Sequence, residues 1–352
     1  MKRCDFHSER VQRGLVLLLG AASLACAPAG RMGEGIHIAE ESAIIIWDAA
    51  TKTQHFIRRA SFETKAKDFG FLVPTPTVPK LEEADDEAFG YLAWLTRPPV
   101  QKLRDDVKAL RRMADKSETV AQVIVIATAK VAGYDATVLE ATDANALDGW
   151  LKQHGYLSSP ALVEWYKPYI AQKWKITAFK IATNTENTTS VKTSAIRMSF
   201  ESDRPFFPYR EPAVEAGSKA ARMLRVYLLG DTRHDGRIGA EGKWQGKTVW
   251  SNRVTEGNRV SLMKRLKLPD DTARAALHLT EFEDVASPRP GNDDLFFRAA
   301  TDQSPVSKPE VDDIGRPVRS AWEELAVVAG VLLGITVLVL LYRFLKRIFR
   351  RA

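Results

Sequence analysis

Seventeen consecutive uncharged residues, LAVVAGVLLGITVLVLL at 325–341, lie between the acidic pair Glu323-Glu324 and a basic cluster. At about 1.5 Å per helical residue the run spans roughly 25 Å, close to the ~30 Å of a hydrocarbon core. Trp322 and Tyr342 flank it as interfacial anchors, and Arg343 and Lys346 can snorkel to lengthen it. A buried soluble helix would not lead straight into Arg343, Lys346, Arg347, Arg350 and Arg351. The pattern predicts a transmembrane helix over 321–342 with a basic cytoplasmic tail at 343–352. The bulk of the chain then lies outside the cytoplasm. Within the span, Gly330 and Gly334 form G-x-x-x-G, a flat stripe on which two helix backbones can approach, so self-association through the membrane helix is one expectation.

The N-terminus points the same way. A basic region from Lys2 to Arg13 precedes the apolar run GLVLLLGAASLACA at 14–27, and Pro28, Ala29 and Gly30 follow. This is the three-part layout of a secretory signal peptide, too short for a comfortable span. Small residues at Ala27 and Ala29 predict cleavage after Ala29, whereas cleavage after Ala27 would place Pro28 next to the cut bond. Two alternatives stand beside it. One is lipidation of Cys26, for which Ala25 suits and Ser23 does not. The other is an uncleaved N-terminal anchor.

The formal net charge of +7 suggests a nucleic-acid binder until the charges are located. Residues 1–29 carry +2 and the tail after Leu341 carries +5, so residues 30–341 are neutral overall. The basic balance belongs to the membrane flanks, and no nucleic-acid partner is expected. The partner it does imply is the lipid bilayer.

Cys4 and Cys26 are the only cysteines, so the exported part has no disulfide, no cysteine metal cluster and no thiol nucleophile. H-E-x-x-H, G-x-S-x-G, C-x-x-C and G-x-G-x-x-G are all missing from the sequence. Gly246-Lys247-Thr248 imitates the end of a phosphate loop, but Glu241 occupies the position of its first glycine. The loop GDTRHDGRIGAEG at 230–242 offers Asp231 and Asp235 as weak candidate calcium ligands. Arg233 breaks the D-x-D-x-D spacing, and a hairpin turn after the preceding strand explains the Asp-Gly pair more simply. Histidines 37, 55, 154, 234 and 278 show no ligand spacing. The aromatic stretch Asp203-Arg204-Pro205 with Phe206, Phe207 and Tyr209 reads as a core-crossing loop rather than a ligand platform. No cofactor and no metal are expected.

Between the termini, strands come in groups with helices inserted, which gives an α+β fold. AIIIWD (43–48), His55–Phe62, 69–79, 122–131, 134–141 and 224–230 read as strands. The prolines at 74, 76 and 79 end the third of these. The segments 175–183 and 193–201 alternate and look like a hairpin about TNTENTTS. Helices are expected from Ala88 to Leu95, from an Asp143 N-cap to Gly155, and from Ser159-Pro160 onward. The Pro-, Asp- and Ser-rich stretch 285–320 reads mostly as linker. In domain terms, a leader at 1–29 precedes an extracytoplasmic domain at 30–300 and a linker at 301–320.

Several long segments also recur in order in a known family. They are DFGFLVPTPTVP (68–79), FGYLAWLTRPP (89–99), GYDATVLEATDANALDGWLKQHGY (133–156), RMSFESDRPFFPYR (197–210) and LRVYLLGD (224–231). Through them the chain resembles the bacterial family catalogued as domain of unknown function 2330, over about residues 35–300. The resemblance implies an exported bacterial protein, often with a C-terminal membrane helix. Many members carry cysteines near the mature N-terminus, where this chain has Gly33-Glu34-Gly35. The family has no established activity, so the resemblance assigns no catalytic residue.

The expectation is therefore a single-pass protein of a bacterial inner membrane, its main domain periplasmic, acting as an envelope interaction or structural module with an unknown protein partner. The alternative is an envelope enzyme of hydrolase type whose site the fold assembles from dispersed Asp, Glu and His.

Overall fold

The computed structural model describes residues 27–29, 37–63, 68–99, 128–131, 133–156, 158–182, 190–192, 195–212, 223–286 and 291–311. In chain order the first elements are strands β1 (Ala27–Ala29), β2 (His37–Asp48), β3 (Thr53–Glu63), β4 (Asp68–Thr75) and β5 (Lys80–Glu83). Helix α1 (Glu87–Leu95), β6 (Thr128–Val131), β7 (Tyr134–Leu139), α2 (Ala144–Gln153) and α3 (Pro160–Ala171) follow. Then come β8 (Lys175–Ala182), β9 (Ser190–Lys192), β10 (Ile196–Glu201), β11 (Phe206–Phe207), β12 (Met223–Gly230) and β13 (His234–Ile238). The last are β14 (Gly242–Lys243), β15 (Lys247–Arg253), α4 (Glu256–Arg265), β16 (His278–Asp284) and β17 (Leu295–Ala299). The fold is a sheet-rich α+β, as the grouped strands predict. Among the described residues no helix is long and apolar enough to cross a membrane. The segment expected to do so, with Gly330, Gly334 and the five basic residues after it, lies outside the described residues.

Three sheets form, in the orders β1-β4-β8-β7-β6, β15-β16-β12-β2-β3-β10-β5 and β11-β17-β13-β14. β9 adds to β3 in the second. Among the described residues only β2 and β12 pair in parallel. The run Ala43–Ile46 in β2 is buried without interruption, as expected of a central strand covered on both faces. β4, by contrast, alternates. Phe71 and Val73 face the core shared with the larger sheet, while Leu72 faces the layer of α2 and α3. Phe71 stacks on Phe179 at 4.8 Å and meets Tyr134 edge-on at 5.7 Å. Gly70 is required in this strand, because a Cβ there would sit 2.5 Å from the Phe179 carbonyl oxygen.

The helix ends follow the sequence signals. Asp143 caps α2 through the Asn145 and Ala146 amides, and Gly155 takes φ +74° just beyond its end. Ser159 caps α3, with Pro160 in its first turn.

Two expectations fail. The segments 175–183 and 193–201 form no hairpin: β8 pairs with β4 and β7, whereas β10 pairs with β3 and β5 in the other sheet. Phe179 and Met198 both serve the same core from opposite sides, so the chain crosses between sheets here. Pro74 does not end β4 but pairs with Ile176 inside it. Its missing N–H is tolerated because β1 covers only Gly70–Leu72, and Pro74 lies on the uncovered part of that edge.

Contacts divide the chain into two units. One holds residues up to Leu92 and Ala121–Val306; the other holds Ala93–Val120 and Ser307 onward. Of the second, Ala93–Pro99 and Ser307–Val311 are described. Within it the Val311 amide donates to the Pro99 carbonyl at 3.1 Å, and the Arg97 guanidinium lies 4.7 Å over the half-exposed Trp94 ring.

Candidate functional site

The first unit gathers its buried polar groups at two places. The first is built on the segment 205–212, which carries Phe206, Phe207 and Tyr209 through the core as its aromatic run predicts. Two carboxylates meet it. Asp284, at the end of β16, accepts from the Tyr209 hydroxyl at 2.7 Å, the Trp244 indole at 2.8 Å and the Ala286 amide at 2.8 Å. Asp294, just before β17, accepts from the Tyr169 hydroxyl of α3 at 2.8 Å and the Arg210 amide at 3.2 Å. Arg210 in turn donates to Asp293 at 2.7 Å, and its carbonyl accepts from the Trp165 indole at 2.8 Å. Asp284 is fully buried and Asp294 nearly so. Burial pushes the Asp294 carboxyl up to about 6, and the Tyr169 and Arg210 hydrogen bonds oppose the shift. An acid of that strength exchanges protons near neutral pH, the property a general acid–base needs. In this geometry its visible partners are structural: Tyr169 fixes α3, and Arg210 fixes the crossing segment.

The second place is the end of β15 and β16. Ser251 Oγ lies 3.0 Å from His278 Nε2 and 3.0 Å from Thr280 Oγ1. Both backbone groups of Ser251 bond Val306 at 2.8 Å, which covers the serine. His234 Nδ1 faces the Thr232 carbonyl at 2.8 Å. Burial lowers the pKa of His278, and Arg253, His234 and Arg233 lower it further. A serine beside an imidazole is the pairing of nucleophile and base, but the base must become a cation during reaction. Arginines around His278 oppose that cation, so the pair is poorly poised for acyl transfer. His55 repeats the pattern with Ser199 Oγ at 2.8 Å; burial first, then Arg197, brings it down to about 4.

Two openings lie elsewhere in this unit. A cavity of about 10 Å³ sits between the sheets, lined by Arg58, Phe71, Tyr134, Phe179 and Met198, with room for one water at most. The Arg58–Glu41 ion pair (2.8 Å) is buried beside it. A wide surface groove of about 620 Å³ runs along Glu256, Arg259, Asp270, Asp271 and Arg274. Its buried cation, Arg259, is engaged by the Asp270 and Thr272 carbonyls at 2.5 Å and by Glu256 at 2.6 Å, so it clamps the loop after α4.

The structure does not bring the sequence candidates together. Asp231 is exposed at the turn after β12, and Asp235 lies within β13, paired with Arg298. The Asp235-Gly236 pair is thus inside a strand rather than in a hairpin turn, because β12 and β13 belong to different sheets. Among the described residues no group of three His, Cys, Asp or Glu could hold a metal ion. Of the histidines, 234 and 278 come together, while His154 follows α2 with its Nδ1 2.8 Å from the Trp150 carbonyl oxygen. Ala29 ends β1; Cys26 lies outside the described residues. The two buried carboxylates and the Ser251–His278 pair escaped sequence reasoning, since Asp294 meets Tyr169 from 125 residues away and no local motif announces it.

No curated protein matches the chain. Among solved structures, baculovirus P35 matches at 9% identity and a TM-score of 0.34, over 63% of this chain and 77% of that one. A mutated baculovirus P35 after caspase cleavage matches at 9% identity and a TM-score of 0.33, over 73% and 97%. Likeness at this level transfers neither fold nor activity. The family match is of another kind, since it spans residues 21–297 and so most of the sequence. The chain belongs to the family described as uncharacterized protein conserved in bacteria (DUF2330).

Proposed function

We propose that the chain is a single-pass, membrane-anchored extracytoplasmic module that works by interaction or as envelope structure rather than by catalysis. The observation that supports this reading best is how the interior polar groups are used. Asp284 and Asp294 hold the 205–212 crossing to α3 and the small sheet through Tyr209, Trp244 and Tyr169. Ser251 and His278 are packed under Val306 with arginines for neighbours. The anchoring part of the reading comes from the uncharged run at 325–341, the basic residues after it and the leader-like N-terminus.

Membrane fractionation tests the anchor. The full chain should sediment with the inner membrane and resist carbonate extraction, whereas a chain ending at Arg316 should be released with the periplasmic contents. A full chain extracted by carbonate would refute it. Self-association through Gly330 and Gly334 is part of the same proposal. Replacing both with Leu should weaken dimerisation of the membrane helix by a part only, because such packing contributes a few kcal/mol at most. Unchanged association would remove that part of the proposal.

One observation favours an enzyme as the second reading: the Asp294 carboxyl, held at about 6 beside Arg210 and Asp293. If it were a hydrolase acid, Asp294→Asn would abolish a hydrolytic activity while leaving the fold intact.

A further inference from the structure

We infer that the exported chain is cut upstream of Ala27, at the Ala25–Cys26 bond, so that Ala27–Ala29 remains in the mature protein as an edge strand. This rests on the reading of the N-terminus as an export leader, and it moves the cut from the position after Ala29 that small-residue spacing alone predicts.

β1 pairs antiparallel with the middle of β4: Ala27 opposite Leu72, Pro28 opposite Phe71, Ala29 opposite Gly70. Those partners are the most enclosed part of the five-stranded sheet. Phe71 belongs to the aromatic stack with Phe179 and Tyr134, Leu72 is fully buried under the helices, and Gly70 has no room even for a Cβ. β8 satisfies one side of this stretch, and β1 is its neighbour on the other. A cut after Ala29 would remove all three residues and leave the backbone edge of β4 open at Gly70–Leu72, a template for unwanted strand pairing. The composition of β1 suits its place, since Pro28 lacks an N–H and fits a sheet only at an edge.

A second observation agrees. The family match begins at residue 21 and runs through Ala27–Ala29, so the shared region does not start after the strand. Upstream, Ser23 and Ala25 place small side chains at the two alternate positions a leader peptidase reads, with Leu24 between them. Hydrolysis there consumes one water, leaves a carboxylate on Ala25 of the leader and frees the Cys26 amine as the first group of the mature chain. Lipid on Cys26 would alter the mass of the first residue without moving the bond.

The test is the N-terminus of the full chain, carrying a C-terminal tag, expressed in a bacterium with an envelope and isolated from membranes. Tandem mass spectrometry of the terminal peptide should read Cys26 first. Ala25→Arg should abolish processing, and Ala29→Arg should leave the same mature N-terminus. A chain beginning at Gly30, or one whose processing is blocked by Ala29→Arg alone, would overturn the inference while leaving export intact. A chain retaining Met1 would overturn it as well. Protease added to spheroplasts then separates the two failures: degradation of the domain keeps the export reading, and protection removes it.

Discussion

The two buried polar regions of the domain solve the same problem with opposite charges. Around Asp284 and Asp294, acids are enclosed by phenol, indole and amide donors. Around Ser251 and His278, imidazoles are enclosed by hydroxyls, a carbonyl and the covering Val306 strand, with arginines nearby. Burial drives each toward its neutral form: Asp294 upward, His234 and His278 downward. The difference shows that this interior tolerates ionisable groups by supplying neutral hydrogen-bond partners rather than by assembling opposite charges into a working site. The two regions should therefore respond to pH in opposite directions.

The largest effect should come from removing the acceptor that serves most donors. Asp284→Ala takes the carboxylate from the Tyr209 hydroxyl and the Trp244 indole in a closed interior, which should cost about 4 kcal/mol at about 1–3 kcal/mol for each stranded group. The urea midpoint of the full chain in detergent, followed by tryptophan fluorescence, measures this. A loss below about 1 kcal/mol would show that the cluster does not hold the crossing segment.

Next is the acid side of the pH comparison. The folded pKa of Asp294, about 6, is raised above the ordinary aspartate value of 3.8, so its contribution is present below the unfolded value and is lost as pH rises through about 6. Asp294→Asn keeps an acceptor for Tyr169 and cannot ionise. Its stability relative to the parent should therefore improve by about 3 kcal/mol between acid and pH 8, because each pH unit separating the folded and unfolded values is worth about 1.4 kcal/mol. A pH-independent difference between the two would contradict the burial account of Asp294.

The histidine side should be gentler and opposite in sign. His234 and His278 have depressed folded pKa values, so their contribution is present above about 6.5 and is lost as pH falls below it. His55, down to about 4, adds to the same acid loss. Ser251→Ala should cost only about 1 kcal/mol at neutral pH, the net value of an ordinary hydrogen bond. A stability that rises as pH falls from 7 to 5 in the Asp294→Asn background would reverse the sign assigned to these imidazoles.

Most of the local structure was legible because its causes are local. Asp143, Ser159-Pro160 and Gly155 mark helix ends through their own backbone chemistry, and the β-branched run at 43–46 marks a central strand. What could not be read is long-range. β8 and β10 both alternate, and alternation fixes which face is apolar without saying which sheet receives it. The meeting of Asp284 with Tyr209 and Trp244, or of Ser251 with His278, depends on which strands become neighbours. The candidate calcium ligands erred for the same reason, since Asp231 and Asp235 are close in sequence but divided between a turn and a strand.

The reading of the chain as an extracytoplasmic module on a membrane anchor meets its most direct test in a pair of reporter fusions. An enzyme active only outside the cytoplasm, fused after Arg316, should be active, and the same enzyme fused after Ala352 should be silent, because the basic residues from Arg343 onward hold that end inside. Activity at Ala352 with silence at Arg316, or equal activity at both, would contradict the account.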